Sequence, residues 1–257
     1  MTHQVSGRIK GQISGQSGGQ NANRAGIAAF RIVPELAVGS VSAALAQMAG
    51  VFGFRADGAR LTRGDQVIAL VPLAGQTGHG VIDHVALKAI DTDAAAAAAL
   101  ARGGVIDRGV TPDGPMEIAA FWDAGVRFQF MQGPEGARLE FCARRGVTLA
   151  QPCGLDAALA GHDHIGICCR DIDASVGFYQ LLGFDLAFAT TLAPADGPLP
   201  VRFLARNDQV LELYSPASRR SGAMVLPARG HWQGLRLEGA GRSAVLAGPD
   251  GERVTLM

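Results

Sequence analysis

The chain is 257 residues long, with 23 Lys and Arg against 23 Asp and Glu, 48% hydrophobic residues and only 6% aromatic ones. That length holds one large domain or two small ones, each able to bury a core. Balanced charge lacks the basic surplus that draws phosphate backbones or anionic lipid, so the reading is no nucleic acid, no membrane, and a small-molecule substrate.

In chain order, residues 1–26 carry Gly, Gln, Ser and Asn without an apolar core. They read as a disordered tail and not as a secretory signal. The run Gly15-Gln16-Ser17-Gly18-Gly19 spells a nucleophile elbow, but neither strand nor helix surrounds it, and chance explains it better. The uncharged stretch Ala37 to Phe54 is diluted by Gly, Ser and Gln and reads as an amphipathic helix of a soluble protein. The four cysteines, Cys142, Cys153, Cys168 and Cys169, form no CxxC pair, which fits a reducing, cytoplasmic setting.

The chain repeats itself. Asp83-His84-Val85-Ala86-Leu87, followed by Asp91-Thr92-Asp93-Ala94, recurs 80 residues later as Asp163-His164-Ile165-Gly166-Ile167, followed by Asp171-Ile172-Asp173-Ala174. Each reads as a strand, an Asp-led helix start and a helix, Ala94 to Arg102 and Ala174 to Leu182. The alanine run Ala94 to Ala99 suits a helix packed closely on a sheet. Downstream, Val126-Arg127-Phe128 corresponds to Val201-Arg202-Phe203, and Arg138-Leu139-Glu140-Phe141 to Val210-Leu211-Glu212-Leu213. The unit is a strand, a helix and about three further strands.

Two outer units repeat the ending without its carboxylate. Arg63 to Leu70 matches Arg206 to Leu213 and puts Ala69 where the inner unit has Glu212; Gly248 to Thr255 matches Gly133 to Glu140 and puts Thr255 where the inner unit has Glu140. The units alternate in type, as tandem duplication of a two-unit ancestor produces. The expected organisation is a tail at 1–26, a first two-module copy at 27–145, a linker at 146–160 and a second copy at 161–257, whose last module is shortened because nothing from Ala217 to Arg242 sustains a helical period.

These units, with Phe178-Tyr179 and Leu182-Gly183-Phe184 on and after the third helix, resemble the vicinal oxygen chelate superfamily of glyoxalase I, methylmalonyl-CoA epimerase, extradiol dioxygenases and bleomycin-resistance proteins. The resemblance implies an α+β fold of paired βαβββ modules in cupped mixed sheets, with helices outside and one divalent metal between paired inner faces. Of about four modules, the first and last are degenerate. The order His84, Glu140, His164, Glu212 looks like bacterial glyoxalase I. Tandem-fused relatives build sites between unlike units, so the two inner modules imply one metal per chain.

Alternation along a strand agrees: His164 shares a face with Gly166 and Cys168, His84 with Ala86 and Lys88, Glu140 with Arg138 and Cys142, Glu212 with Val210 and Tyr214. A carboxylate in a strand with a buried back face is costly unless paired. Two imidazoles and two carboxylates suit Zn, Ni, Mn or Fe(II). His162 is set aside as peripheral because Ile82 stands at the equivalent place.

The expected activity is metal-stabilised proton transfer of the glyoxalase I or epimerase type, a lyase or isomerase. Glu140 is the favoured base, and Glu212 a ligand or second base. Lys88 and Arg138 suggest an anionic substrate, with Tyr214 and Cys168 beside it. Where glyoxalase I has an Arg for glutathione this chain has Cys168, and where it has an Asn just after the last-strand Glu this chain continues Leu213-Tyr214-Ser215-Pro216, which weighs against glutathione. The alternatives are an Fe(II) extradiol-type dioxygenase using His84, His164 and one glutamate, and a metal-free binding or resistance protein. A duplicated chain satisfies its own pseudo-dimer interface, so monomer and homodimer both stay open.

Overall fold

The computed structural model describes residues 30–73, 78–146 and 158–257. The tail, the GxSxG run, Cys153 and most of the linker lie outside the described residues.

The first module comprises β1 (Arg31–Val38), α1 (Val41–Gly50), β2 (Arg55–Asp57), β3 (Arg60–Arg63) and β4 (Gln66–Pro72). The second comprises β5 (Ile82–Ala89), α2 (Thr92–Ala101), β6 (Val105–Ile106), β7 (Met116–Ile118), β8 (Val126–Gln132) and β9 (Arg138–Arg144). The third comprises β10 (Leu159–Cys168), α3 (Ile172–Leu181), β11 (Asp185–Leu192), β12 (Leu199–Arg206) and β13 (Gln209–Tyr214). After the four-residue α4 (Ala217–Arg220), the fourth keeps only β14 (Trp232–Glu238), β15 (Ala244–Ala247) and β16 (Arg253–Leu256). None of these helices is long and apolar enough to cross a membrane.

Local chemistry sets the boundaries. The Asp91 side chain accepts from the Ala94 N–H, and Asp171 accepts from the N–H groups of Asp173 and Ala174, so both helices start directly after these caps, two residues before the expected Ala94 and Ala174. The stretch Ala37 to Phe54 is not one helix: Ala37 and Val38 finish β1, and Ser40 caps α1 by accepting from Ala43 N–H. Gly64 and Asn207, at φ 54° and 55°, take the same left-handed place in the β3–β4 and β12–β13 hairpins.

The modules pair inner with inner and outer with outer. One sheet has nine strands, β11-β12-β13-β10-β5-β9-β8-β6, with β7 on β8; the other has seven, β15-β16-β14-β1-β4-β3-β2. Each sheet is joined at its centre by an antiparallel pair that crosses the two copies, β5 with β10 and β1 with β14. Ile165, Ile167, Val85 and Leu87 point from the central pair of the nine-stranded sheet into the main core, which also takes Ile32, Leu36 and Met48 from the first module. Their alternating neighbours are thereby turned to the opposite, concave face.

Candidate metal centre

Parallel pairing of β5 with β9 sets Ala86 beside Glu140, and parallel pairing of β10 with β13 sets Gly166 beside Glu212. The antiparallel seam sets His164 beside Ala86 and His84 beside Gly166. Each imidazole therefore leans over a small residue of the opposite strand. At Gly166 the space is used completely: a Cβ there would lie 2.0 Å from His84 Cε1.

The outcome is a tight cluster. His84 Nε2 and His164 Nε2 are 3.1 Å apart; Glu140 Oε2 lies 3.2 Å from the first and 3.5 Å from the second, and Glu212 Oε2 lies 3.4 Å from both. Ligand atoms about 2.1 Å from a shared ion, separated by angles of about 90–110°, lie about 3.0–3.4 Å from one another. The ligand atoms of His84, His164 and Glu212 fit a divalent ion at this spacing, and Glu140 approaches the same two imidazoles. All four side chains are buried, on strands in the interior of the sheet, so neither glutamate belongs to a solvated edge.

Each histidine is backed by the aspartate that precedes it. His84 Nδ1 donates to Asp83 Oδ2 at 3.0 Å and His164 Nδ1 donates to Asp163 Oδ1 at 2.8 Å. With Nδ1–H used this way, each Nε2 presents a lone pair to the other and to two carboxylates, an arrangement that requires a cation or a proton in the middle. Burial opposes charge on His84 and His164, but the surrounding carboxylates outweigh it and raise both well above the ordinary value. Burial likewise opposes charge on Glu212, yet the two imidazoles hold it down to about 2, and they lower Glu140 too. The aspartates are held in turn: Arg138 Nη1 donates to Asp83 Oδ1 at 2.7 Å and Arg144 Nη2 to Asp163 Oδ1 at 3.0 Å.

The cluster forms the floor of a cavity of about 200 Å³. Arg138 and Tyr214 line it, but Arg138 is committed to Asp83 and to Asp107 Oδ2, the latter at 2.9 Å. Cys168 is buried near Tyr214 and Asp83, off the cavity wall, and burial pushes its thiol up to about 12. Lys88 faces a different, polar cavity with Asp65, Arg144 and Asp208, because it lies two residues beyond Ala86 along β5. Neither cation thus offers an unpaired charge over the cluster, which removes the ground for an anionic substrate. His162 stays outside the cluster as a buried bridge: Nδ1 donates to Gln66 Oε1 at 2.8 Å and Nε2 accepts from Val210 N–H at 3.1 Å.

Sequence reasoning passed over Asp83 and Asp163, although the repeated Asp-His dipeptide displays them. It also passed over Phe121 and Trp122, for which the repeat carries no signal.

The seven-stranded sheet has the same register with other residues. Val33 stands where β10 has His164, Gly234 where β5 has His84, Ala69 for Glu212 and Thr255 for Glu140. Val33, Val67 and Ala69 pack into a small apolar cluster there. Beside it Glu35 is paired with Arg236 Nε at 2.6 Å and with Arg253. Among the described residues, no ligand set stands at this second location.

Residues 161–251 match the family model described as Glyoxalase/Bleomycin resistance protein/Dioxygenase superfamily. Glyoxalase I from Zea mays superposes with a TM-score of 0.62 at 16% identity, over 88% of this chain and 92% of that one, and its V278E mutant with 0.64 at 16%, over 89% and 92%. The fold is that of the vicinal oxygen chelate superfamily, with duplicated modules. A putative dioxygenase from Bacillus subtilis subsp. subtilis str. 168 shares this superfamily architecture with a TM-score of 0.53 and 12% identity, over 87% of this chain and 83% of that one. A sequence search of curated proteins finds no match.

Proposed function

We propose that the chain is a divalent-metal-dependent enzyme of the isomerase or lyase type, in which His84, Glu140, His164 and Glu212 hold one ion and a glutamate moves a proton on a substrate with two adjacent oxygens. The observation that carries it is that one carboxylate oxygen from each copy, Glu140 Oε2 and Glu212 Oε2, lies within 3.5 Å of both imidazole Nε2 atoms, which are themselves 3.1 Å apart. A bound divalent ion supplies Lewis acidity for charge that develops on substrate oxygen during proton removal. The chain supplies the rest. Asp83 and Asp163 hold the imidazoles in one tautomer and orientation. The aromatic walls keep bulk water away. The Glu140 carboxylate would take a proton from the hydroxyl-bearing substrate carbon and return it to the neighbouring carbonyl carbon, while the hydroxyl proton passes to the former carbonyl oxygen, so that product and substrate are isomers and the carboxylate is regenerated. Its two imidazole neighbours explain why it is ionised in a buried place, as a base must be.

The test is elemental analysis together with one conservative variant. The unaltered chain carries about one metal per molecule, His164→Ala carries less than a tenth of that, and Glu140→Gln keeps at least half of its metal. With a reactive hydroxy-ketone or hemithioacetal, Glu140→Gln loses at least a hundredfold in exchange of the substrate proton with deuterated solvent. Full exchange by Glu140→Gln with metal bound removes the base assignment; chain that takes up no metal removes the reading.

A second reading has its own observation. Ligand atoms of His84, His164 and Glu212 all lie within 4.8 Å of one another, a two-histidine, one-carboxylate set of the sort that serves Fe(II) oxygenases. Oxygen uptake with a catechol after anaerobic Fe(II) loading, absent with zinc, would establish it in place of the first.

A further inference from the structure

The walls of the cavity describe the body of the substrate. Above the floor they are apolar and largely aromatic, with Phe121, Trp122, Phe128, Phe130 and Phe203 among them. Arg138 is the only Lys or Arg among the described lining residues, and two carboxylates already neutralise it. A ligand carboxylate placed in this cavity would lose water among rings and gain no unpaired cation. The volume, about 200 Å³, modestly exceeds the roughly 150 Å³ of an apolar cavity that holds benzene. It accommodates one ring with short substituents.

Trp122 closes one side. It is a bulky residue at φ 56°, a conformation rare for such side chains and held here by packing. Its ring lies 4.9 Å from Phe203 and 5.0 Å from Phe188, and the Arg144 guanidinium covers it at 4.1 Å. That guanidinium is paired with Asp163 and is not among the residues lining the cavity.

We propose that the site takes an uncharged, apolar molecule of single-ring size that offers two adjacent oxygens to the floor, and that Trp122 is the wall that selects it. The inference deepens the function proposed above and rests on it only for the oxygens.

Three hydroxamates with the same chelating end test it by calorimetry on the zinc-loaded full chain: acetohydroxamate, benzohydroxamate and 4-carboxybenzohydroxamate. Benzohydroxamate binds at least tenfold tighter than acetohydroxamate, and the added carboxylate loses at least tenfold. Trp122→Ala removes most of the advantage of the phenyl group while acetohydroxamate stays within twofold. Equal binding of the acetyl and phenyl probes, or a carboxylated probe as tight as the phenyl one, overturns the proposal. The ranking on the unaltered chain decides it whatever the fate of the variant. If zinc does not bind, the ligation reading fails on its own, and metal-free protein titrated with benzyl alcohol and with benzoate decides the wall: a preference for the alcohol supports the proposal, and equal binding, a preference for benzoate, or no binding overturns it.

Discussion

Gly166 shows how little slack the site has. Its missing side chain is the space occupied by the His84 ring, so Gly166→Ala must move either the imidazole or the seam between β5 and β10. Because Ala suits a strand better than Gly, the fold has no other reason to suffer. The expected result is a chain that melts within a few degrees of the original but binds metal at least tenfold more weakly, read by competition with a chelator. The aspartates behind the histidines act by orientation. Asp83→Asn and Asp163→Asn each weaken metal binding by about 10- to 100-fold, with Asp163→Asn also freeing Arg144 from its partner. His162 supplies a prediction of another kind. Burial lowers its pKa from 6.5 to about 4, so the unfolded chain binds the proton more readily than the folded one. Its contribution to stability is therefore full above pH 6.5 and lost as pH falls from there toward 4. His162→Gln flattens that part of a denaturation profile measured against pH and, by breaking the bonds to Gln66 and Val210, lowers stability at neutral pH by about 1–3 kcal/mol.

At the scale of elements, alternation and repetition carried most of what could be read in advance. The lag of 80 residues between the two Asp-His strands, and the matching glutamate strands, depend on strand periodicity, which survives in sequence because each strand has one face in the core. The α+β class and the pairing of unlike modules followed from the family resemblance that those repeated units carry. Helix starts were read two residues late because the first of two nearby aspartates is the cap, a choice settled by backbone angles and not by composition. The start of α1 was hidden inside an uncharged run, where β1 and the helix share the same residue types. Lys88 and Arg138 were misjudged for a different reason. Face tells which side a long side chain leaves from, and not what it meets there: Arg138 meets two aspartates, one of them 31 residues away on the connection after β6. The segment with Phe121 and Trp122, between β7 and β8, has no counterpart in the repeat, so nothing in the sequence marked it. The outer sheet allows a check on this account of decay. Ala69→Glu at the position matching Glu212 places a carboxylate in the Val33 and Val67 cluster with no imidazole partner. It binds no metal and costs about 1–3 kcal/mol on denaturant unfolding.

Across the whole molecule, each copy contributes one histidine and one glutamate to the cluster, and the copies meet at two central strand pairs, one in each sheet. Connectivity between the copies is then of secondary weight for the assembled state. A protease site engineered between residues 147 and 157 and cut after folding leaves the two fragments together on a sizing column under native conditions, with the metal content unchanged. Either fragment produced by itself has two of the four proposed ligands and two unpaired central strands, and neither is expected to bind one ion with the affinity of the pair. An ion in the cluster has a mechanical meaning as well as a chemical one. Once bound there, it would clasp one copy to the other at the seam between β5 and β10, and a chelator should slacken that seam before any other part of the protein. Amide hydrogens of β5 and β10 would then exchange sooner in stripped protein than in loaded protein, while those of β1 and β14, which join the same two copies without a clasp, keep their pace.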